Sequence, residues 1–214
     1  MQQQSEAATQ PGVLTPTVPW DIGERSQRQR ILGAMASSTA EKTFAGTTIA
    51  DIVGHASISR ATFYKHFANK RECFDATVES FLSELWQAAA EVRSTDDLPA
   101  EAIRKAATAG LQRMAKKPAH AKLVLIEAPS VNPAIVRSYR DALIDVLERE
   151  LNLERATNGA DPGIAVGRAK VLLADFLAAD RAKELPSLVP EIVYIALLPY
   201  VGQEAALQQA GLGA

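Results

Sequence analysis

The segment TTIADIVGHASISRATFYKHFANKRECF, residues 47–74, leaves this chain little choice of fold. It holds three helix starts in quick succession. Thr48 followed three residues later by Asp51 has the capping-box form, with Asp in the place usually held by Glu or Gln, and Asn69 with Glu72 repeats it. Between them Ser59 is a preferred N-cap residue. The spacing predicts one short helix from Ile49 to about His55, a break at ASIS, and a second from Arg60 to about His66. A long helix comes next, to about Val92. Two short helices joined by a tight break have the form of a helix-turn-helix. Such a unit needs both members to turn apolar residues inward: Ile49, Ile52, Val53 and Ile58 from the first, Phe63 and Phe67 from the second.

The rest of the chain carries helical spacing and no strand-like alternation of useful length, so the fold class is all-α. A first helix runs from about Arg25 to Lys42, with Ile31, Leu32, Met35 and Ala36 inward. Beyond STDDLP the composition shifts to Ala/Leu/Val helices separated by proline. These are expected from Pro99, over about 119–128, from Pro133 to about Leu153, over about 162–183 and 188–198, with a short last one over 203–210. Three parts result: a flexible arm at 1–23, rich in Gln, Thr and Pro, a helix-turn-helix domain at 24–75, and a helical domain at 76–214.

Net charge is −2, yet the sign is unevenly placed. Residues 24–75 hold eight Lys/Arg against five Asp/Glu, and no acid lies between Ile52 and Arg71. Local sign decides where a polyanion lands. The face of the second short helix opposite Phe63 holds Arg60, Ala61, Thr62, Tyr64, Lys65 and His66, side chains that reach base edges or phosphates.

The stretch from Thr47 to Ala76 resembles the DNA-binding domain of the TetR family of transcriptional regulators. Thr47, Thr48, Ile52, Ala56, Ile58, Ser59, Thr62, Phe63, Tyr64, His66, Phe67, Asn69 and Lys70 match the family's pattern in order. Three positions depart from it: Thr43 and Ser57 stand where glycine is usual, and Val53 replaces a small residue. The resemblance implies an N-terminal three-helix DNA-binding domain and a C-terminal helical ligand-binding and dimerisation domain. It implies phosphate contacts at Thr47 or Thr48, phosphate or sugar contacts at Tyr64 and His66, and a phosphate clamp at Lys70. Arg60 and Thr62 are the candidate base readers, Lys65 is a candidate for either purpose, and Ser59 at the helix start joins the candidate set. It further implies a double-stranded DNA operator, a small effector and a homodimer formed through helices at about 162–183 and 188–199.

Ile103, Leu111, Met114, Leu123, Ile126, Tyr139, Leu143 and Phe176 are expected on inward faces of the second domain, which favours a mostly apolar effector. Trp86, Met114, Tyr139 and Phe176 either line its pocket or are plain core, with Gln112, Trp86 Nε1 and Tyr139 Oη as candidate polar groups. Catalysis is not expected, for there is no Gly-rich phosphate loop, HExxH or nucleophile elbow. No cofactor or metal site is expected: His55 and His120 are isolated, and the single Cys73 reads as structural. No apolar run approaches the roughly 18–20 residues of a membrane span, and the N-terminus lacks the regions of a signal peptide, so a cytoplasmic protein is expected. The other class kept open is a helical small-molecule-binding or protein-interaction module without regulated operator binding.

Overall fold

A computed structural model of the chain describes residues 19–151 and 161–213. Among them there is no strand. The helices are α1 (Pro19–Gly46), α2 (Ile49–Ala56), α3 (Arg60–His66), α4 (Lys70–Glu91), α5 (Pro99–Lys116) and α6 (Pro118–Lys122). A π-helical turn at Leu123–Glu127 leads into α7 (Ala128–Val131) and α8 (Pro133–Glu150). After α9 (Pro162–Ala178), a 3₁₀ segment at Ala182–Leu188 runs into α10 (Val189–Val201), and α11 (Gln203–Ala210) comes last.

The expected N-caps form, although the Glu72 carboxylate accepts from Ala68 N and not from Asn69 N, so the second capping box is incomplete. Thr48 Oγ1 accepts from Asp51 N at 3.2 Å while Asp51 Oδ2 accepts from Thr48 N at 2.9 Å. Ser59 Oγ accepts from Thr62 N at 3.0 Å, and Asn69 Oδ1 from Glu72 N at 2.9 Å. Each satisfies amide groups that a helix start leaves without a partner. Phe63, Phe67 and Phe74 enter one apolar core with Ile31, Leu32, Met35 and Ile52, and that core continues along α4 through Val78, Phe81 and Leu85 to Leu111, Leu123 and Leu197.

Several boundaries differ from the sequence reading. Helix α1 begins at Pro19, so residues 19–23 of the expected arm are helical; the rest of the arm lies outside the described residues. The helix after Pro162 stops at Ala178, and Asp180 at φ 57° turns the chain out of it. Helix α10 runs through Pro199 to Val201 and stops at Gly202, whose φ is 78°. The helix expected over 119–128 is interrupted by the π-turn, in which Ala128 N bonds back to Leu123 O. One extra residue in a turn rotates the helix beyond it by about 100° relative to an unbroken α-helix. Ile126, within that turn and expected inward, is 38% exposed. The 20 residues Ala182–Val201 are long and apolar enough, by length and composition, to cross a membrane, which the sequence reading did not find. Their inward side is core: Ala182, Leu185, Leu188, Val189, Val193 and Leu197 are buried.

The two departures from glycine fall where backbone conformation matters. Ser57 ends α2 in the left-handed region, at φ 51°, ψ 51°. Thr43 kinks α1 near its end at φ 63°, ψ 166°, a combination that side chains bearing a Cβ rarely adopt and that costs about 1–3 kcal/mol. Thr43→Gly should therefore raise the urea midpoint by the equivalent of about 1 kcal/mol, the strain relieved less the added freedom of the unfolded chain. An unchanged or lower midpoint would show that Thr43 is unstrained.

Candidate nucleic-acid interface

Helix α3 is seven residues long and is oriented by what it buries. Phe63 is wholly buried and Phe67 nearly so, their ring centroids 5.9 Å apart. The remaining side chains face outward. Tyr64 is 54% exposed, its ring set edge-on to Phe63 at 5.5 Å. Arg60 and Lys65 are exposed, Thr62 and His66 half-buried. Ser59 Oγ and Thr62 Oγ1 lie 3.0 Å apart, so one of their two hydroxyl protons is spent between them. Arg28 of α1 adds a cation at the edge of this face, 5.2 Å from the centre of the Phe67 ring.

Two expected phosphate contacts have other work. Thr47 is 1% exposed, and its hydroxyl donates to Thr43 O at 2.7 Å. It fastens the kinked turn and does not reach outward. Lys70 Nζ donates to Phe44 O at 2.8 Å and to Thr47 O at 2.7 Å, and lies 4.3 Å from the centre of the Phe44 ring. Phe44 O lies in the last turn of α1 and Thr47 O in the link to α2, and the ammonium bridges the two. Thr48 remains exposed at the start of α2, but its hydroxyl donates to Asp51 Oδ2 at 2.7 Å. Lys42 Nζ meets the same carboxylate at 2.6 Å. The Lys42 bond, and after it those from Thr48, hold the Asp51 carboxyl well below the usual carboxylate range.

The DNA-binding half is also held from the second domain. At the α1–α2 junction Glu127 Oε2 accepts from Phe44 N at 2.9 Å, and on α4 Asp75 Oδ1 accepts from Asn132 Nδ2 at 3.0 Å. The sequence reading missed Glu127. The signal was present, for it is the lone charge at the end of the apolar run LVLIE.

In the second domain the candidate pocket residues are only partly brought together. Trp86 and Tyr139 meet at 5.5 Å between ring centroids, and desolvation of the phenol end of the half-buried Tyr139 pushes it well above its ordinary pKa. Met114 and Phe176 pack on the core, with Arg181 stacked 4.2 Å from the centre of the Phe176 ring. Gln112 is exposed, on the outer face of α5, and is not placed to orient a buried ligand. Two surface clefts, at 201–208 and between Arg28, His66 and Glu79, lie away from all five. His120 is half-buried against Phe81 at 5.5 Å, and that burial, with Lys117 nearby, lowers its pKa.

This arrangement is that of a helix-turn-helix DNA-binding regulator with a helical second domain. A family model for bacterial regulatory proteins of the tetR family matches residues 31–77, so the helix-turn-helix unit is of the TetR type. Solved structures share the fold along most of their length. A TetR-like transcriptional regulator from Rhodococcus sp. RHA1 is 23% identical at a TM-score of 0.62, over 76% of this chain and 93% of that one. The fatty acid degradation regulator FadR from Bacillus halodurans is 15% identical at 0.67, over 89% and 99%. FadR from Bacillus subtilis, in complex with stearoyl-CoA, is 15% identical at 0.65, over 81% and 98%. No curated protein sequence matches the chain.

The buried thiol and the inward lysine can both be tested. Burial pushes the Cys73 thiol up to about 12 from an ordinary value of 9.0, so the native protein at pH 8 should react with a thiol reagent about a thousandfold more slowly than the urea-unfolded chain. Equal rates would place Cys73 at the surface. Lys70→Ala removes two charge-assisted hydrogen bonds and should lower unfolding stability by about 2–3 kcal/mol. A phosphate clamp would instead leave stability unchanged and flatten the salt dependence of DNA binding by about one unit.

Proposed function

We propose that the chain is a ligand-released repressor that binds a near-palindromic operator as a homodimer. The observation that carries the DNA reading is the outward face of α3, where Arg60, Tyr64 and Lys65 stand exposed with no acid on the helix. Arg60 has the fork that grips guanine, and Thr62 is the second base reader. Lys65, Tyr64, His66, Ser59 and Thr48 border the phosphates. One helix reads about 3–5 base pairs, too few to specify a site, so two must act together, one DNA turn apart at about 34–36 Å.

The face for pairing is on α9. Ile164 is 57% exposed and Val171 59%, and the intervening Gly167 and the later Ala174 continue the same stripe. Small residues there let a second copy approach closely. The apolar, half-buried Ile192 and Ile195 of α10 extend the surface, as an obligate interface of about 2,000 Å² or more requires.

The effector is assigned to the core-facing side of α8, where a ligand would enter by displacing the helix. This 18-residue helix has no buried residue, although it carries Ile135, Val136, Tyr139, Leu143, Val146 and Leu147. A helix with so much apolar surface left half-covered is the least costly element to lift, and a mostly apolar ligand would complete its contacts. Tyr139 of α8 and Trp86 of α4 meet there, and Met114 and Phe176 are half-buried like them. The stearoyl-CoA bound by the Bacillus subtilis neighbour supports a long-chain acyl thioester as the first candidate. Release of DNA requires that the ligand prefer the non-binding state; a swing from 1:99 to 99:1 takes about 5.5 kcal/mol. Helix α4, running from the DNA-binding domain at Lys70 to Trp86, is the lever between the two.

Arg60→Ala should cost about 1–3 kcal/mol on the selected operator and relax preference at one position per half-site. A uniform loss on every sequence would make Arg60 a phosphate contact. Val171→Glu should yield monomers of unchanged helical content that no longer bind operator, as sedimentation and gel shift would show. A wild-type chain that sediments as a monomer at micromolar concentration would overturn the dimer.

A further inference from the structure

We propose that Glu127 is a positioning residue for operator binding, holding the α1–α2 junction in register from the effector domain; the regulatory part of this proposal rests on the repressor reading above. The backbone of Thr43 is strained, and the next residue, Phe44, is gripped on every side. Phe44 N donates to Glu127, Phe44 O accepts from Lys70, and the Phe44 ring meets Phe74 edge-on at 4.7 Å. Lys70 and Phe74 both belong to α4, so they hold Phe44 from within the DNA-binding unit. Glu127 alone among these grips it from the other domain.

The contact is made from the end of the π-turn: Glu127 closes it, four residues after the wholly buried Leu123, and reaches Phe44 N while Ile126 beside it is 38% exposed. The turn is flanked by the wholly buried Leu123 and Ala128, and it leads through the one-turn α7 and Asn132 into α8. A ligand that lifts α8 pulls on this segment first. A π-turn converts to α-helix by passing one residue along, and that shift would withdraw the carboxylate from Phe44 N. The strained Thr43 would then lose the tie that keeps it in place, and α2, which starts at Ile49, would lose its fixed angle to α4. The carboxylate thus links the state of α8 to the aim of α3.

The test compares the full-length wild type with Glu127→Ala, Glu127→Gln and the control Ile126→Ala. Amide exchange at Phe44 is measured in the free protein. It should speed about tenfold or more in Glu127→Ala, the loss of one charge-assisted hydrogen bond, and stay near wild type in Glu127→Gln, which keeps an acceptor, and in Ile126→Ala. Affinity for a duplex selected by the wild type from a random pool should fall about tenfold in Glu127→Ala with helical content and dimerisation intact. Stearoyl-CoA as the probe should weaken wild-type binding and have little further effect on Glu127→Ala. Unchanged Phe44 exchange in Glu127→Ala, or a Glu127→Gln variant as impaired as Glu127→Ala, overturns the positioning role. If the wild type selects no duplex, or ignores stearoyl-CoA, the repressor or effector reading falls instead, and the exchange result alone decides for or against Glu127.

Discussion

The burial of Phe63 is the contact that shapes the DNA-binding half. Helix α3 spans only Arg60–His66, far below the length at which a helix holds in water by itself. It exists because Ser59 caps its start and because Phe63 and Phe67 are taken into the core formed with Ile31, Met35, Ile52 and Phe74. Fixing that face fixes the other. Once the two phenylalanines are inside, Arg60, Tyr64 and Lys65 have nowhere to point but outward, and a basic surface with an aromatic at its centre results. Packing and recognition are two sides of one seven-residue element.

The junction between α1 and α2 shows how strain and compensation sit together. Thr43 and Ser57 both adopt positive φ without the glycine that would make it easy. Around Thr43 the chain supplies Thr47, Lys70 and Glu127 as donors and acceptors to the groups the kink exposes. A strained conformation persists only where its surroundings over-determine it, and here those surroundings come from both domains. That is why Lys70, which a one-dimensional reading places on a phosphate, points inward to carbonyl oxygens instead.

The second domain is less evenly consolidated. Helices α4, α5 and α10 contribute deeply buried side chains, among them Phe81, Leu111, Val193 and Leu197. Ion pairs from Glu84 to Lys117 at 2.7 Å and from Arg93 to Glu150 at 2.8 Å run across its surface. Helix α8 stands apart, amphipathic yet without one buried residue. Low local burial marks an element that opens readily, and a ligand-responsive helix has to be drawn from that end of the stability range.

The all-helical class, the helix-turn-helix and the outward set at Arg60, Tyr64 and Lys65 could all be read along the chain. Those features are local: caps act over three residues, and apolar periodicity reads one helix at a time. The pairing of Phe63 and Phe67 with the core was legible for the same reason. Contacts between distant segments came only with the folded molecule. Lys70 reaches Phe44 across 26 residues of sequence, and Glu127 reaches it across 83. No propensity encodes such a partner. The π-turn was hidden as well, since a widened turn leaves composition and capping untouched, and Ile126 stands exposed within it. The exposure of Gln112 and the half-cover of α8 likewise depend on what lies against each helix, and a helix sequence shows which face is apolar but not how completely a neighbour covers it.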